Sequence, residues 1–203
     1  HVISVPASGG TIVEAVVGLP KYPNPLYSST NDPDADLATL VYSGLFRRVD
    51  GSSVVPDIVE RFEWSDDGKR LTLTLRSDVR FHDGVPLTSD DVVFTLNAAK
   101  DSAWRSTYLS AMRGLSVERV DDRTVVVNLE RADVTVLDTL TLGILPEHIW
   151  QDVPPGSALL ADANVRPIGA GAFRVRSFRR DAKGSVLAYT LERNDRYYGL
   201  KPF

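Results

Sequence analysis

Apolar and polar positions alternate along this chain in two periods, and the switches between them mark out its elements. Leu71, Leu73 and Leu75 alternate with Thr72 and Thr74, the period of a half-buried strand. Val92, Val93, Leu96 and Ala99 recur at helical spacing after Thr88, a good N-cap, with Asp91 three residues on as a variant capping box; this predicts a helix over Ser89 to Lys100. Asp32-Pro33 reads as N-cap and first helical residue of an earlier helix, with Asp34 and Asp36 favourable in its first turn. Leu37, Leu40 and Val41 form its apolar stripe, and Gly44 its stop. A third helix is expected over Val134 to Leu142, and a helical turn at Pro146 to Trp150.

Further strands are expected at Thr11 to Leu19, which is β-branched, apolar and reads as buried, and at Leu45 to Val49 and Arg61 to Ser65. Two hairpins should form, one from Ser116 to Val120 with Thr124 to Leu129, the other from Phe173 to Phe178 with Val186 to Arg193. Lys21 to Asn31, rich in Pro, Asn and Ser, should be irregular or extended. Helices and hairpins mixed without regular βαβ alternation define an α+β lobe. Trp64, Phe81 and Phe94 are assigned to its core.

The chain has 203 residues, no cysteine and a formal charge of −4, which excludes disulfides and thiolate chemistry and leaves no electrostatic footprint for nucleic acid. No apolar run approaches the roughly 18 residues that span a bilayer.

Three motifs invite chemistry. His82-Asp83 could be a hydrolytic pair, but Asp83-Gly84 is a turn signal, no G-x-S-x-G occurs, and a structural role is preferred. The three histidines, His1, His82 and His148, form neither H-x-x-x-H nor H-E-x-x-H, so no metal site is assigned. Gly169-Ala170-Gly171 lacks the helix and Lys of a phosphate loop and reads instead as a close approach of backbones.

The run Phe81 to Phe94, FHDGVPLTSDDVVF, joins a strand end, a tight turn and a capped helix. With Asn24 to Asp50, Val54 to Gly84, Pro167 to Phe178 and Leu191 to Phe203 in order around it, the chain resembles the family 5 extracellular solute-binding proteins, the oligopeptide-, dipeptide- and nickel-binding receptors of ABC importers. The resemblance implies the N-terminal lobe of a two-lobed, type II periplasmic-binding-protein-like fold, ending at Phe203 near the start of the second lobe. It implies a monomeric, non-enzymatic, extracytoplasmic receptor without cofactor, its leader upstream of His1. A short peptide or other small solute would be captured between the lobes and delivered to a membrane permease. Nickel complexes, oligosaccharides, opines and a sensory domain of a transcriptional regulator are the alternatives.

Carried over by position, ligand contact falls on the extended Tyr27 to Asp32 stretch, through Thr30, Asn31 and Asp32, by main-chain strand addition. Tyr108 would line the cleft, with half-buried packing as its alternative reading, and Trp104 could stack on ligand. Tyr197-Tyr198 should pack at the lobe boundary.

Overall fold

The computed structural model describes residues 9–51 and 53–200. At its centre lies a four-stranded antiparallel sheet in the order β3-β4-β6-β5: β3 (Val59–Trp64), β4 (Arg70–Leu75), β5 (Leu115–Asp121) and β6 (Thr124–Leu129). Leu71, Leu73 and Leu75 of β4 are fully buried, as the alternation requires, and their register partners Val127 and Val125 join them. Burying each such side chain contributes about 1.5–3 kcal/mol. Two further hairpins flank the sheet, β1 (Phe46–Val49) with β2 (Ser53–Pro56) and β7 (Phe173–Arg180) with β8 (Val186–Arg193). The α+β class read from the pattern is the class observed. Among the described residues no helix is long and apolar enough to cross a membrane.

Among the described residues there are four α-helices, and the second, α2 (Ser89–Lys100), lies across β5 and β6. Its capping box forms: the Thr88 N–H donates to Asp91 Oδ2 at 2.8 Å. Asp91 does more than cap, because its Oδ1 accepts the Glu147 N–H at 2.8 Å and ties α4 (Glu147–Trp150) to the start of α2. Thr95 adds a second tie by accepting the Leu145 N–H while donating to Asp91 O. Trp150, 1% exposed, fills the space beneath, tilted against Trp104, which meets Phe94 edge to face. Phe81 is core as expected, and Trp64 and Phe94 pack against the core half-buried.

Several expectations are corrected. Thr11 to Leu19 is not a buried strand: Ile12, Val13 and Val17 are at least 90% exposed, and no described strand pairs with them. A β-branched run reports a preference for pleated surface, and no strand among the described residues supplies that surface here. The first helix, α1, runs Asp32–Val41 with Asn31 as N-cap, so Asp32 is the first helical residue and not the cap. Its buried positions are Pro33, Asp34, Ala38 and Val41, whereas Leu40 is 37% exposed. Gly44 does not end it through a left-handed turn. The helix stops at an extended Tyr42, and Gly44 is small because a Cβ there would lie 2.5 Å from Thr141 O. Only Val136–Thr139 of the third expected helix is α-helical (α3), the rest of Val134 to Leu142 being turns and a closing bend at Leu142.

Candidate functional site: a surface joining residues 26–31 and 104–108

The segment before α1 is bound down from several directions. Asn24, fully buried, accepts the Leu26 N–H through Oδ1 and donates to Asn164 Oδ1 at 3.0 Å. Asp34, 1% exposed, accepts three donors: the N–H groups of Lys21 (2.8 Å) and Tyr22 (3.0 Å) and the Asn31 amide (2.7 Å). Between these anchors the chain is not extended as expected. Ser28–Thr30 is a 3-10 turn, with Thr30 Oγ1 donating to Tyr27 O, and only Asn31 has strand-like dihedrals. Short polar residues that bond to nearby backbone favour such turns.

Leu26 O is the meeting point with the second segment. It accepts the Thr107 N–H at 3.0 Å and the hydroxyls of Ser106 and Thr107, while Ser29 Oγ donates to Thr107 Oγ1 at 2.7 Å. Ser106 Oγ in turn accepts the Tyr108 N–H, which sets that residue's backbone. The chain reaches this contact through a 3-10 turn, Ser102–Trp104, capped by Asp101, and then through Arg105 at φ 54. A non-glycine residue in the left-handed region costs energy and is held there only by its surroundings. Here the corner swings residues 106–108 onto Leu26.

Thr30 and Tyr108, more than 70 residues apart in sequence, therefore belong to two segments bonded to each other. Thr30 and Asp32 are exposed and Tyr108 is half-buried. Burial raises the Tyr108 hydroxyl above its ordinary pKa, with the Arg48 charge opposing, so it stays a neutral donor and acceptor at physiological pH. Asn31 is largely committed, its amide nitrogen serving Leu19 O and Asp34. Trp104 is turned inward, 5% exposed between Phe94 and Trp150, so the stacking role is replaced by packing. Sequence reading missed Ser29, Ser106, Thr107 and Arg105. Nothing in a serine or threonine announces a partner 78 residues away.

The His82-Asp83 pair does not assemble. His82 Nε2 lies 3.1 Å from Gly171 O, and the Gly169 N–H donates to Nδ1, so both ring nitrogens serve the backbone. Asp83 turns instead to His148 Nε2 at 2.8 Å and accepts the Val85 N–H. The Gly171 N–H goes to Val41 O, so the glycine segment presents no cradle of free N–H groups to a phosphate.

The His82 contacts require a neutral ring, and burial, with the Arg174 charge assisting, lowers its pKa despite the Gly171 bond and Asp83. The unfolded chain thus binds the proton more readily than the folded one. The stabilisation is complete above the ordinary imidazole value of 6.5 and is lost as pH falls through and below it. Asp57 and Asp91, whose pKa values burial raises, act in the opposite sense. The clean observable is accordingly the melting temperature of the wild type minus that of His82→Gln between pH 7.5 and 5. That difference is expected to shrink as pH falls, and a flat difference would remove the neutral-ring requirement.

Residues 53–202 match the family described as bacterial extracellular solute-binding proteins, family 5 Middle. The chain belongs to this family. It is 31% identical to the oligopeptide-binding protein AppA of Bacillus subtilis over 98% of its own length and 36% of that protein. The solved structure of the Bacillus subtilis AppA in complex with a nonapeptide superposes with a TM-score of 0.82 at 30% identity, covering 90% of this chain and 36% of that one. NikZ from Campylobacter jejuni, solved with Ni(L-His), gives 0.78 at 28% identity over 93% and 35%. The chain spans about a third of the length of the relatives it matches.

Proposed function

We propose that this chain is one lobe of a two-lobed solute receptor that captures a short peptide or a similar small solute and delivers it to a membrane permease outside the cytoplasm. The observation that carries the reading is the bonded junction of residues 26–29 with 106–107, which presents Thr30, Asp32 and Tyr108 on contiguous segments. Family membership, and peptide-complexed AppA among its relatives, supports it. Tyr108 supplies a flat apolar face and one neutral hydroxyl, a combination that tolerates varied side chains. The 3-10 turn moves recognition away from strand addition over the whole Tyr27 to Asp32 stretch. It leaves Asn31 as the one residue with strand-like dihedrals, its side chain fixed from behind. Ligand would bind against a second lobe, with hinge closure completing the site.

The test is mass spectrometry of the intact protein purified under native conditions, followed by binding measurements on Tyr108→Ala. A ladder of short-peptide masses, and an affinity about tenfold or more weaker in the variant, are expected. A single defined mass such as a sugar, an opine or a metal complex would overturn the peptide assignment. An unchanged affinity in Tyr108→Ala would remove this surface from the site.

A further inference from the structure

The β7-β8 hairpin carries a charge opposite to that of the chain as a whole. Residues 174–183 hold five cations and one carboxylate, in a chain whose formal charge is −4. Arg174 is paired with Glu192 across the strands at 2.7 Å. Among the described residues Arg176, Arg179, Arg180 and Lys183 form no ion pair, and all four are exposed. The one carboxylate, Asp181, is occupied in the turn, accepting the N–H groups of Lys183 and Ser185.

The register arranges these groups. Val175 pairs with Leu191 and Ser177 with Thr190, so Arg176 stands out of the ladder as a bulge; on the other strand Leu187 is skipped between Ala188, partner of Arg179, and Val186, partner of Arg180. Bulges re-aim side chains away from the regular pleat. Here they put a guanidinium and a 41%-exposed leucine out of register on a hairpin whose Phe178 and Tyr189 are held by Arg166 and by the Tyr189 hydroxyl bond to Val165 O. Arg180 lies over the Phe178 ring at 5.1 Å, which holds its guanidinium in place, and Arg166 lies over the same ring at 5.8 Å, while Arg176, Arg179 and Lys183 form no ion pair among the described residues.

We propose that the far half of this hairpin is a docking surface for an anionic phospholipid bilayer. Three guanidinium groups suit the forked geometry of phosphate oxygens better than ammonium groups would. Cations strung along one strand and its turn, beside an exposed leucine, fit a diffuse sheet of headgroups rather than a matching set of fixed carboxylates. Contact would be weak and electrostatic, and would orient the protein on a membrane to which other interactions bring it. The inference rests on the extracytoplasmic, permease-serving role proposed above, but the two are tested by different readouts.

The experiment is co-sedimentation of the intact protein with vesicles of phosphatidylcholine alone or with about one-third phosphatidylglycerol, at low and high salt. The triple variant Arg176→Glu, Arg179→Glu, Lys183→Glu leaves the Phe178 stack in place. Its control, Arg70→Glu, Arg113→Glu, Arg131→Glu, makes the same change in net charge at exposed sites elsewhere. Binding is expected only with phosphatidylglycerol and to weaken with salt. The hairpin variant should lose about tenfold or more in partitioning and the control much less. Solute affinity should be unchanged in both; a wild-type protein that carries and binds no solute would count against the receptor reading alone, whereas a hairpin variant that loses solute affinity but keeps its vesicle binding would overturn the docking proposal. Equal losses in the two variants, or no preference for phosphatidylglycerol, would overturn the proposal. So would competition by polyglutamate at matched charge as effective as that of the vesicles, which would identify an acidic polypeptide as the partner.

Discussion

Asp34→Ala is expected to lower the free energy of unfolding by roughly 3–5 kcal/mol, among the largest effects of any single side-chain truncation in this chain. The carboxylate is 1% exposed and receives three donors, two of them backbone N–H groups of Lys21 and Tyr22. Alanine removes every acceptor at once and leaves those part-buried N–H groups without their protein partner. The position also lies in the first turn of α1, where a negative charge opposes the positive end of the helix dipole and adds a few tenths of a kcal/mol. Asp34→Asn, retaining one carbonyl oxygen, should cost about half as much. Urea unfolding of the three proteins reads the ordering directly. Equal stability of wild type and Asp34→Ala would mean that the segment before α1 is held by Asn24 and the junction at Leu26 alone. A loss of solute affinity beyond the loss of fold is expected as well, because the same carboxylate holds Asn31 beside Thr30.

What could be read from the sequence was what local physics decides. The Thr88-Asp91 box located α2 to the residue, and the Leu-Thr alternation located β4, because capping and pleating are contests between near neighbours. The glycine segment was legible as a close approach, and both hairpins formed where turn residues separated two apolar runs. The same local logic failed for Thr11 to Leu19, whose β-branched residues specify a strand but not a partner. It failed again for α1, where a carboxylate and a proline are buried and a leucine is not. Asp34 is buried because its acceptors are needed by Lys21 and Tyr22, a demand invisible in any helical period. The candidate site was harder still. Thr30 and Tyr108 came from the family resemblance, whereas their junction depends on Leu26 O, Ser29 and Thr107, and on Arg105 taking a left-handed corner. Hydroxyl pairs separated by 78 residues leave no periodic trace.

Gly169→Ala should be nearly as damaging as Asp34→Ala, by steric rather than electrostatic means. A Cβ at Gly169 would lie 2.2 Å from Val41 O and 2.8 Å from Tyr42 Cδ1, and at Gly171 it would lie 2.5 Å from Leu40 O. The obstructing atoms are mostly backbone at the end of α1, so no rotamer change relieves them. The α1 terminus and the glycine segment would have to separate. Separation breaks more than packing, since the Gly171 N–H to Val41 O bond, both His82 contacts and the Asn194 amide bond to Gly171 O cross or abut this seam. Over-packing of this kind costs roughly 1–3 kcal/mol and more where backbone must move, so a loss of about 3 kcal/mol is expected for either single variant. The double variant should cost less than the sum, because the first substitution already opens the seam. Gly156 is the control: nothing lies within 4 Å of its added Cβ, and alanine there should be neutral or slightly stabilising, by about 0.4–1 kcal/mol at most. Gly169→Ala should also flatten the His82-dependent pH response, since the ring loses its Gly169 donor when the seam parts. A Gly169→Ala protein that melts with the wild type and keeps that response would show that the α1 terminus yields freely, and that the glycines are there for chain flexibility instead of contact.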